Sequence, residues 1–453
     1  MTAEPATGLA LGDRIELEVT SVAHGGICVG RHEGQVVFVR GALPGERVTA
    51  EVTGLGRGGR YARAVTLEVG RAAPGRREPL CPVADRCGGC DWQHATEETA
   101  RGLKAEVVRE ALDRFAGIVL PEELTVQQVP MPPHADVPAG LPPRLPGLGW
   151  RTRGTLATDA GGRAGMRAPR SHEVIVAGQC PQLDPRLVPL DLFARSWPPE
   201  ARVRFVVPSV GEPQAHVDVP SDRDAEPGVV VERAAGRDFS VAADGFWQVH
   251  PGAADALVGH VRRMLDPRPD ERLLDLYSGV GLFGISLAAG AERLRVRMVE
   301  GDRTACALAA RNAVDLDVTV TRADVARWVT RRGGVGRPDI VVLDPPRTGA
   351  GPAVVRAVAA ARPRAVAYVA CDPVALARDL GTFAARGFRL RELVALDLFP
   401  TTHHVECVAL LEPGSGVGPG LGASAFRASR EPRTTGRGRL TSSSWGRATA
   451  RQA

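Results

Sequence analysis

From Phe246 to Leu411, short strand-like apolar runs alternate with stretches long enough to be helices. The runs cover 273–277, 295–299, 318–321, 340–343, 365–370, 393–398 and 405–411. Such alternation commits a chain to a doubly wound, mainly parallel sheet covered by helices on both faces. The last two runs stand close enough to form a hairpin, which would turn one strand antiparallel. Ligands of open α/β sheets gather outside the carboxyl ends of the strands. Chemistry is therefore expected in the residues that directly follow each run.

Those residues are unusual. Run 273–277 leads into Ser278-Gly279-Val280-Gly281-Leu282-Phe283-Gly284, a loop whose glycines let backbone approach a ligand closely. The three glycines satisfy the dinucleotide fingerprint, and Glu300 stands about 20 residues on, as that fingerprint asks. The loop alone leaves a nicotinamide cofactor and S-adenosylmethionine both open. Asp275 and the loop Asp344-Pro345-Pro346-Arg347 lean toward the methyl donor. Cys371 closes run 365–370 and precedes Asp372-Pro373. Proline suits a first helical turn, and a helix N-terminus favours a thiolate. A small buried hydrophobe is the competing reading of any cysteine, and the one expected for Cys306 and Cys407. Glu406 interrupts the apolar stretch 405–411.

A thiol, a carboxylate and a clamping loop at strand ends suit chemistry on a pyrimidine. C5 of uracil is a poor nucleophile, but a thiolate added at C6 turns the ring into an enolate that can attack an electrophilic methyl. A base must then remove the C5 proton so that the thiol can leave.

Upstream, Cys81, Cys87 and Cys90 form a C-x5-C-x2-C cluster, and Cys180 stands apart in Gly178-Gln179-Cys180-Pro181. Eight cysteines in 453 residues, with no charged-then-apolar leader, argue against disulfides. Four thiolates suit a closed zinc site or a cubane iron–sulfur cluster, and spacing alone leans slightly to zinc.

Together these residues resemble the RNA uridine C5-methyltransferase family, from about Leu11 to Leu411. The resemblance implies that Cys371 is the nucleophile and Glu406 the base for the C5 proton. It puts S-adenosylmethionine on Gln248 (in Phe246-Trp247-Gln248-Val249), Tyr277, Glu300 and Asp344. It also implies a [4Fe–4S] cluster on Cys81, Cys87, Cys90 and Cys180, with zinc as the lesser alternative. The target base would be flipped into a pocket near Asp344 to Arg347. One departure stands out: the family usually has Asn after Gln-Val, and this chain has His250. Asn312 is the only asparagine in the chain, so drift in composition suffices to explain it.

Four segments follow. Residues 8–70 carry short β runs at 14–20, 35–40, 47–52 and 62–69, the pattern of a small barrel. There, Gly25-Gly26, Phe38-Val39 and Leu43-Pro44-Gly45-Glu46 resemble the TRAM domain, an OB-like barrel that binds RNA. Residues 71–245 form a central α+β domain with the cysteines, a helix over 97–115 and a stiff Pro-rich insertion at 130–148. Residues 246–412 are the Rossmann-like methyltransferase domain. Residues 413–453 are a Gly/Ser/Arg-rich tail, expected to be disordered.

That tail holds seven arginines and one acid, a net +6 against +5 for the whole chain, so the rest carries −1. Overall basicity therefore says nothing about RNA binding by the folded body. Local patches are the better candidates: Arg57, Arg60 and Arg63 in the barrel, and Arg144, Arg151, Arg153, Arg163, Arg167 and Arg170 in the middle. Lys104 is the only lysine, a skew that makes some arginines ordinary surface. With no run of about 18 apolar residues, a cytoplasmic monomer with an RNA partner and no membrane is expected. Combining barrel and cluster resembles the enzymes of large-subunit rRNA more than those of tRNA. Two other classes stay open: an iron–sulfur, nicotinamide-dependent oxidoreductase, which leaves Cys371 and Glu406 without work, and a non-catalytic RNA-binding protein, which makes Cys371 dispensable.

Overall fold

The computed structural model describes residues 8–218, 228–331 and 333–414. The expected disorder of the tail falls outside them, apart from its first two residues. Five strands open the chain: β1 (Arg14–Ala23), β2 (Ile27–His32), β3 (Gln35–Arg40), β4 (Arg47–Leu55) and β5 (Tyr61–Arg71). They close a barrel in the order β1-β2-β3-β5-β4. Alternation does the work: Ile15, Leu17, Val19, Val37, Val39, Val48, Ala50 and Val52 point inward and are buried. Strand β2 was not among the expected runs. Its middle residue is Gly30, where a Cβ would stand 2.5 Å from the Glu18 carbonyl oxygen. Close approach of β1 thus puts a glycine where sequence reading wants a strand former.

Helix α1 (Glu97–Ala116) matches the expected span. Thr96 caps its first turn by accepting from Thr99 N–H, and Gly117 ends it in the left-handed region at φ 64°. Strand β6 (Val126–Gln128) follows. Next come β7 (Arg153–Thr158), β8 (Ala164–Arg167), β9 (Val174–Ile175), β10 (Arg202–Val206) and β11 (Gln214–Asp218), an antiparallel sheet in the order β11-β10-β7-β8-β9. Strands β12 (Val229–Ala234) and β13 (Arg237–Ala242) make a hairpin. The Pro-rich insertion is pinned rather than free: Arg144 reaches the carbonyls of Ala135 and Gly149, and Ala135 is buried.

The C-terminal part runs α2 (Ala253–Leu265), β14 (Arg272–Leu276), α3 (Leu282–Gly290), β15 (Arg295–Glu300), α4 (Arg303–Asn312), β16 (Val318–Arg322), α5 (Val325–Val329), β17 (Ile340–Leu343), α6 (Gly351–Ala361), β18 (Ala365–Ala370), α7 (Pro373–Ala384), β19 (Phe388–Asp397) and β20 (Glu406–Pro413). Its sheet has the order β16-β15-β14-β17-β18-β20-β19-β6. Only β20 runs against its neighbours β18 and β19, which gives the expected hairpin. Alternate strand residues serve two cores. Leu273, Met298, Ile340 and Val342 meet α2, α3 and α4, while Leu274, Val341, Leu343 and Tyr368 meet α5, α6, α7 and also α1. Helix α1 and strand β6 precede the C-terminal domain in sequence but pack into its layers. Strand order reverses between β14 and β17, so a crevice opens there at the carboxyl ends. No helix among the described residues is long and apolar enough to cross a membrane.

Candidate active site

Tyr277 and Asp344 follow β14 and β17 and Glu300 ends β15, three neighbouring strands whose ladders pair Leu276 with Val299 and Leu343. Tyr277 leaves β14 at φ 64°, a strained turn for a bulky residue, and its N–H donates to the Val299 carbonyl at 3.0 Å. The Glu300 carboxylate accepts from the N–H groups of Gly279 (2.9 Å), Gly301 (2.6 Å) and Asp302 (2.8 Å). This ties the glycine loop to the end of β15. Within the loop, a Cβ at Gly284 would sit 2.9 Å from both Asp275 Oδ2 and Met298 Sδ, so only glycine fits. Asp275 Oδ2 accepts from Gly284 N–H at 2.8 Å. Asp275 Oδ1 and Ser278 Oγ, both buried, have no hydrogen-bond partner among the described residues. Burial raises the Asp275 carboxyl to about 8, with Asp344 and Glu300 adding to the rise; desolvation holds Asp344 near 7. Three carboxyls and unpaired polar atoms around one crevice suit a cationic ligand.

Gln248 comes from the segment that precedes α2. It is buried in the loop between β13 and α2 and lines a recess with Thr152, Ser209, Glu232 and Trp247. His250 explains its own departure from the family pattern. Its Nδ1 accepts from Gly252 N–H at 3.1 Å just before α2, a local turn that an asparagine side chain could also make. Burial lowers this imidazole to about 4, which keeps it neutral and able to accept.

Cys371 and Glu406 meet across the β18–β20 ladder. Ala370 pairs with Cys407, so the next step outward sets Cys371 opposite Glu406. Asp372 caps α7, its Oδ1 accepting from Val374 N–H at 3.0 Å and Ala375 N–H at 2.8 Å. The start of α7 does not make Cys371 acidic, against expectation. Burial pushes its thiol up to about 12, Glu406 and Asp344 add to this, and Arg347 opposes. Burial and Asp344 likewise raise Glu406 well above the usual carboxylate range, again opposed by Arg347. Cys306 and Cys407 sit in α4 and β20, both buried.

The loop between β19 and β20 carries contacts the sequence did not reveal. Thr401, at φ 64°, accepts at its carbonyl from the N–H groups of Asp91 and Trp92, each at 2.9 Å. His403 reaches Asp91 Oδ2 through its backbone N–H (2.9 Å) and Nδ1 (2.6 Å). Arg347 donates to His404 Nε2 at 3.2 Å; burial lowers His404 to about 3, so it accepts as a neutral ring. The His403-His404 pair just before Glu406 was the visible signal, but its partners were not.

Cys81, Cys87, Cys90 and Cys180 line one apolar recess with Ala84, Met166 and Phe193. All four are free thiols. Gly89 N–H and the Gln93 amide donate to the sulfurs of Cys87 (3.3 Å) and Cys90 (3.0 Å), and Thr401 Oγ1 lies 3.6 Å from Cys90 Sγ. Among the described residues no three His, Cys, Asp or Glu side chains converge as they would on a single metal ion. Arg151 faces the same thiols: Cys180, Cys90 and Cys87 are the charged groups acting on it, and its Nε has no hydrogen-bond partner among the described residues.

Half of the expected central basic patch is structural. Arg153 pairs with buried Glu232 at 2.7 Å, Arg144 with buried Asp184 at 2.5 Å, and Arg151 is turned to the thiols. Guanidiniums held inside the fold are not free for phosphate. Arg163, Arg167 and Arg170 are exposed, as are Arg57 and Arg60, while Arg63 lies over the Tyr61 ring at 5.3 Å.

Family models match the chain in three places: the TRAM domain over residues 9–67, the methyltransferase small domain over 253–365, and tRNA (uracil-5-)-methyltransferase over 337–413. The chain is 43% identical to an uncharacterized RNA methyltransferase of Streptomyces avermitilis, over 89% of this chain and 99% of the relative. It is 30% identical to the 23S rRNA (uracil(1939)-C(5))-methyltransferase RlmD of Shewanella sediminis, over 90% of this chain and 98% of the relative. A solved structure, the tRNA (uracil-54, C5)-methyltransferase of Pyrococcus abyssi in complex with S-adenosyl-L-homocysteine, shares the fold. It aligns with TM-score 0.59 and 23% identity over 87% of this chain and 100% of its own. Fold and strand-end site thus define an S-adenosylmethionine-dependent methyltransferase. The chain belongs to the RNA (uracil-C5)-methyltransferase family.

Proposed function

We propose that this enzyme methylates C5 of a uridine in ribosomal RNA through a covalent bond between Cys371 Sγ and C6. The observation that carries this reading is the end of the β18–β20 ladder at Ala370 and Cys407, whose next residues outward are Cys371 and Glu406, beside the crevice at β14 and β17. Cys371 loses its proton to solvent water and adds as thiolate to C6, and the electrons of the C5–C6 double bond shift to make C5 nucleophilic. When bound, S-adenosylmethionine supplies the electrophilic methyl. Glu406, as carboxylate, then takes the C5 proton, and the electrons of that C–H bond restore the C5–C6 double bond as Cys371 leaves. Tyr277, Glu300 and Asp344 hold the donor, whose amino and sulfonium charges suit a crevice rich in carboxyls. Gln248 is assigned to the donor on its family motif alone.

Cys81, Cys87, Cys90 and Cys180 would hold a [4Fe–4S] cluster. Four thiols spread around a recess suit a multi-atom cluster better than one tetrahedral zinc, whose Zn–S bonds of about 2.3 Å draw the sulfurs together. Arg151, half-buried with these thiols as its charged neighbours, suits thiolates there. When bound, the cluster would tie the 81–94 segment to the Cys180 loop. Ribosomal rather than transfer RNA is favoured by the higher identity to the 23S rRNA enzyme, 30% against 23% for the tRNA enzyme. RNA carrying tritium at uridine C5 should release it when S-adenosylmethionine is added. NAD-dependent turnover without release would favour the oxidoreductase instead. Mapping 5-methyluridine in rRNA and tRNA of a deletion strain identifies the target.

A further inference from the structure

We propose that His24, a residue of the barrel, is a positioning residue for the nucleophile: it holds Asp372, the cap of α7, and through it Cys371. The inference rests on the reading of Cys371 as nucleophile. His24 lies in the turn between β1 and β2, and its Nε2 is 2.8 Å from Asp372 Oδ2. Asp372 therefore uses both oxygens, Oδ1 inside α7 and Oδ2 across to the barrel. Cys371 is the one residue between the end of β18 and this cap, so whatever fixes Asp372 limits where the sulfur can sit.

A second, independent contact seats the same turn. Gly26 accepts from Trp92 Nε1 at 3.0 Å, and a Cβ at Gly26 would lie 2.6 Å from the His403 Cβ and 3.2 Å from the Asp91 Cβ. The turn thus touches both loops that flank the Cys371–Glu406 pair. The charged groups facing His24 are Asp372, which raises its basicity chiefly through the hydrogen bond, and Arg378, which opposes. The net rise above 6.5 means the ion pair is complete at low pH and is lost as pH climbs through the raised value.

The test compares His24→Ala, His24→Gln and Cys371→Ala in full-length enzyme. It reads kcat and KM for RNA across pH, and the rate at which iodoacetamide alkylates Cys371, followed by mass spectrometry. His24→Ala should lower kcat about tenfold, because small misplacements of a reacting atom are costly. KM for RNA should stay within about twofold. Alkylation of Cys371 should slow in parallel. His24→Gln should recover most of kcat, since its Nε2 can donate to Asp372 from the same place, but lose the inflection above 6.5. Wild-type kcat and pH profile in His24→Ala, a loss confined to KM, or no rescue by glutamine overturns the proposal. Should the alanine variant melt early, His24→Gln decides alone: an unchanged inflection overturns it. Turnover retained by Cys371→Ala sinks the nucleophile reading itself; a dead Cys371→Ala beside an unaltered His24→Ala sinks only this inference.

Discussion

At the scale of single residues, the two members of the proposed catalytic pair are shifted in the same direction. Burial and Asp344 raise both Cys371 and Glu406, and Arg347 is the cation that opposes the rise at each. Cys371→Ala should lower methylation by about 10³-fold or more while leaving RNA binding intact, measured by filter binding beside methyl incorporation. Glu406→Gln keeps the nucleophile but cannot accept the C5 proton. A protein–RNA adduct that survives a denaturing gel should accumulate in it, and normal cycling would assign the base elsewhere. The pH dependence has a definite sign. Glu406 must lose its proton before it can take one from C5, so a raised carboxyl moves the acid limb of single-turnover methylation above 4.5. Arg347→Gln removes the opposing charge and should shift that limb to still higher pH. A limb that stays put would mean Arg347 does not act on the pair.

Among the elements, the loop from β19 to β20 is the one held from most sides. Helix α1 pins its entry: Lys104 Nζ lies 2.6 Å from Asp397 Oδ1 and donates to the Phe399 carbonyl at 3.0 Å, with both side chains buried. Lys104→Met would strand Asp397 without its cation. The variant should lose about 3–5 kcal/mol in chemical denaturation, because an unpaired buried charge is left behind. A loss below about 1 kcal/mol would mean Asp397 simply takes up a proton. What the sequence made legible here, and what it hid, follows from range. Strand runs, the glycine loop, α1 and the Asp372-Pro373 helix start are written in neighbouring residues, and each stands where local pattern put it. The Lys104–Asp397 pair joins residues 293 positions apart, and the His403–Asp91 contact joins residues 312 apart; nothing local marks either. Arg144 and Arg153 were misplaced in a surface patch for the same reason, since their carboxylate partners Asp184 and Glu232 come from other strands and turns.

In the whole molecule, barrel, cysteine segment and methyltransferase sheet converge on one place. The Asp91–Trp92 backbone clasps Thr401, the Gln182 amide donates to Thr401 Oγ1 at 2.9 Å, and that hydroxyl neighbours Cys90 Sγ. The thiol recess is thus coupled to the loop that ends at Glu406. Arg151 makes the coupling testable. It is a half-buried cation whose charged neighbours are Cys180, Cys90 and Cys87. Were the thiols protonated, that partly desolvated charge would lack its counter-charges. With thiolates gathered on a cluster, the same charge is compensated. The two states therefore predict opposite effects of one substitution. Protein purified without oxygen should carry about four irons per chain. In that form Arg151→Met should lower the thermal midpoint, because it removes a counter-charge from the thiolates. In protein stripped of iron by oxidation and chelation, the wild type should melt well below its loaded form, and Arg151→Met should match or exceed it. A variant that destabilises both forms equally would show that Arg151 serves packing alone, and that the thiols need no cation beside them.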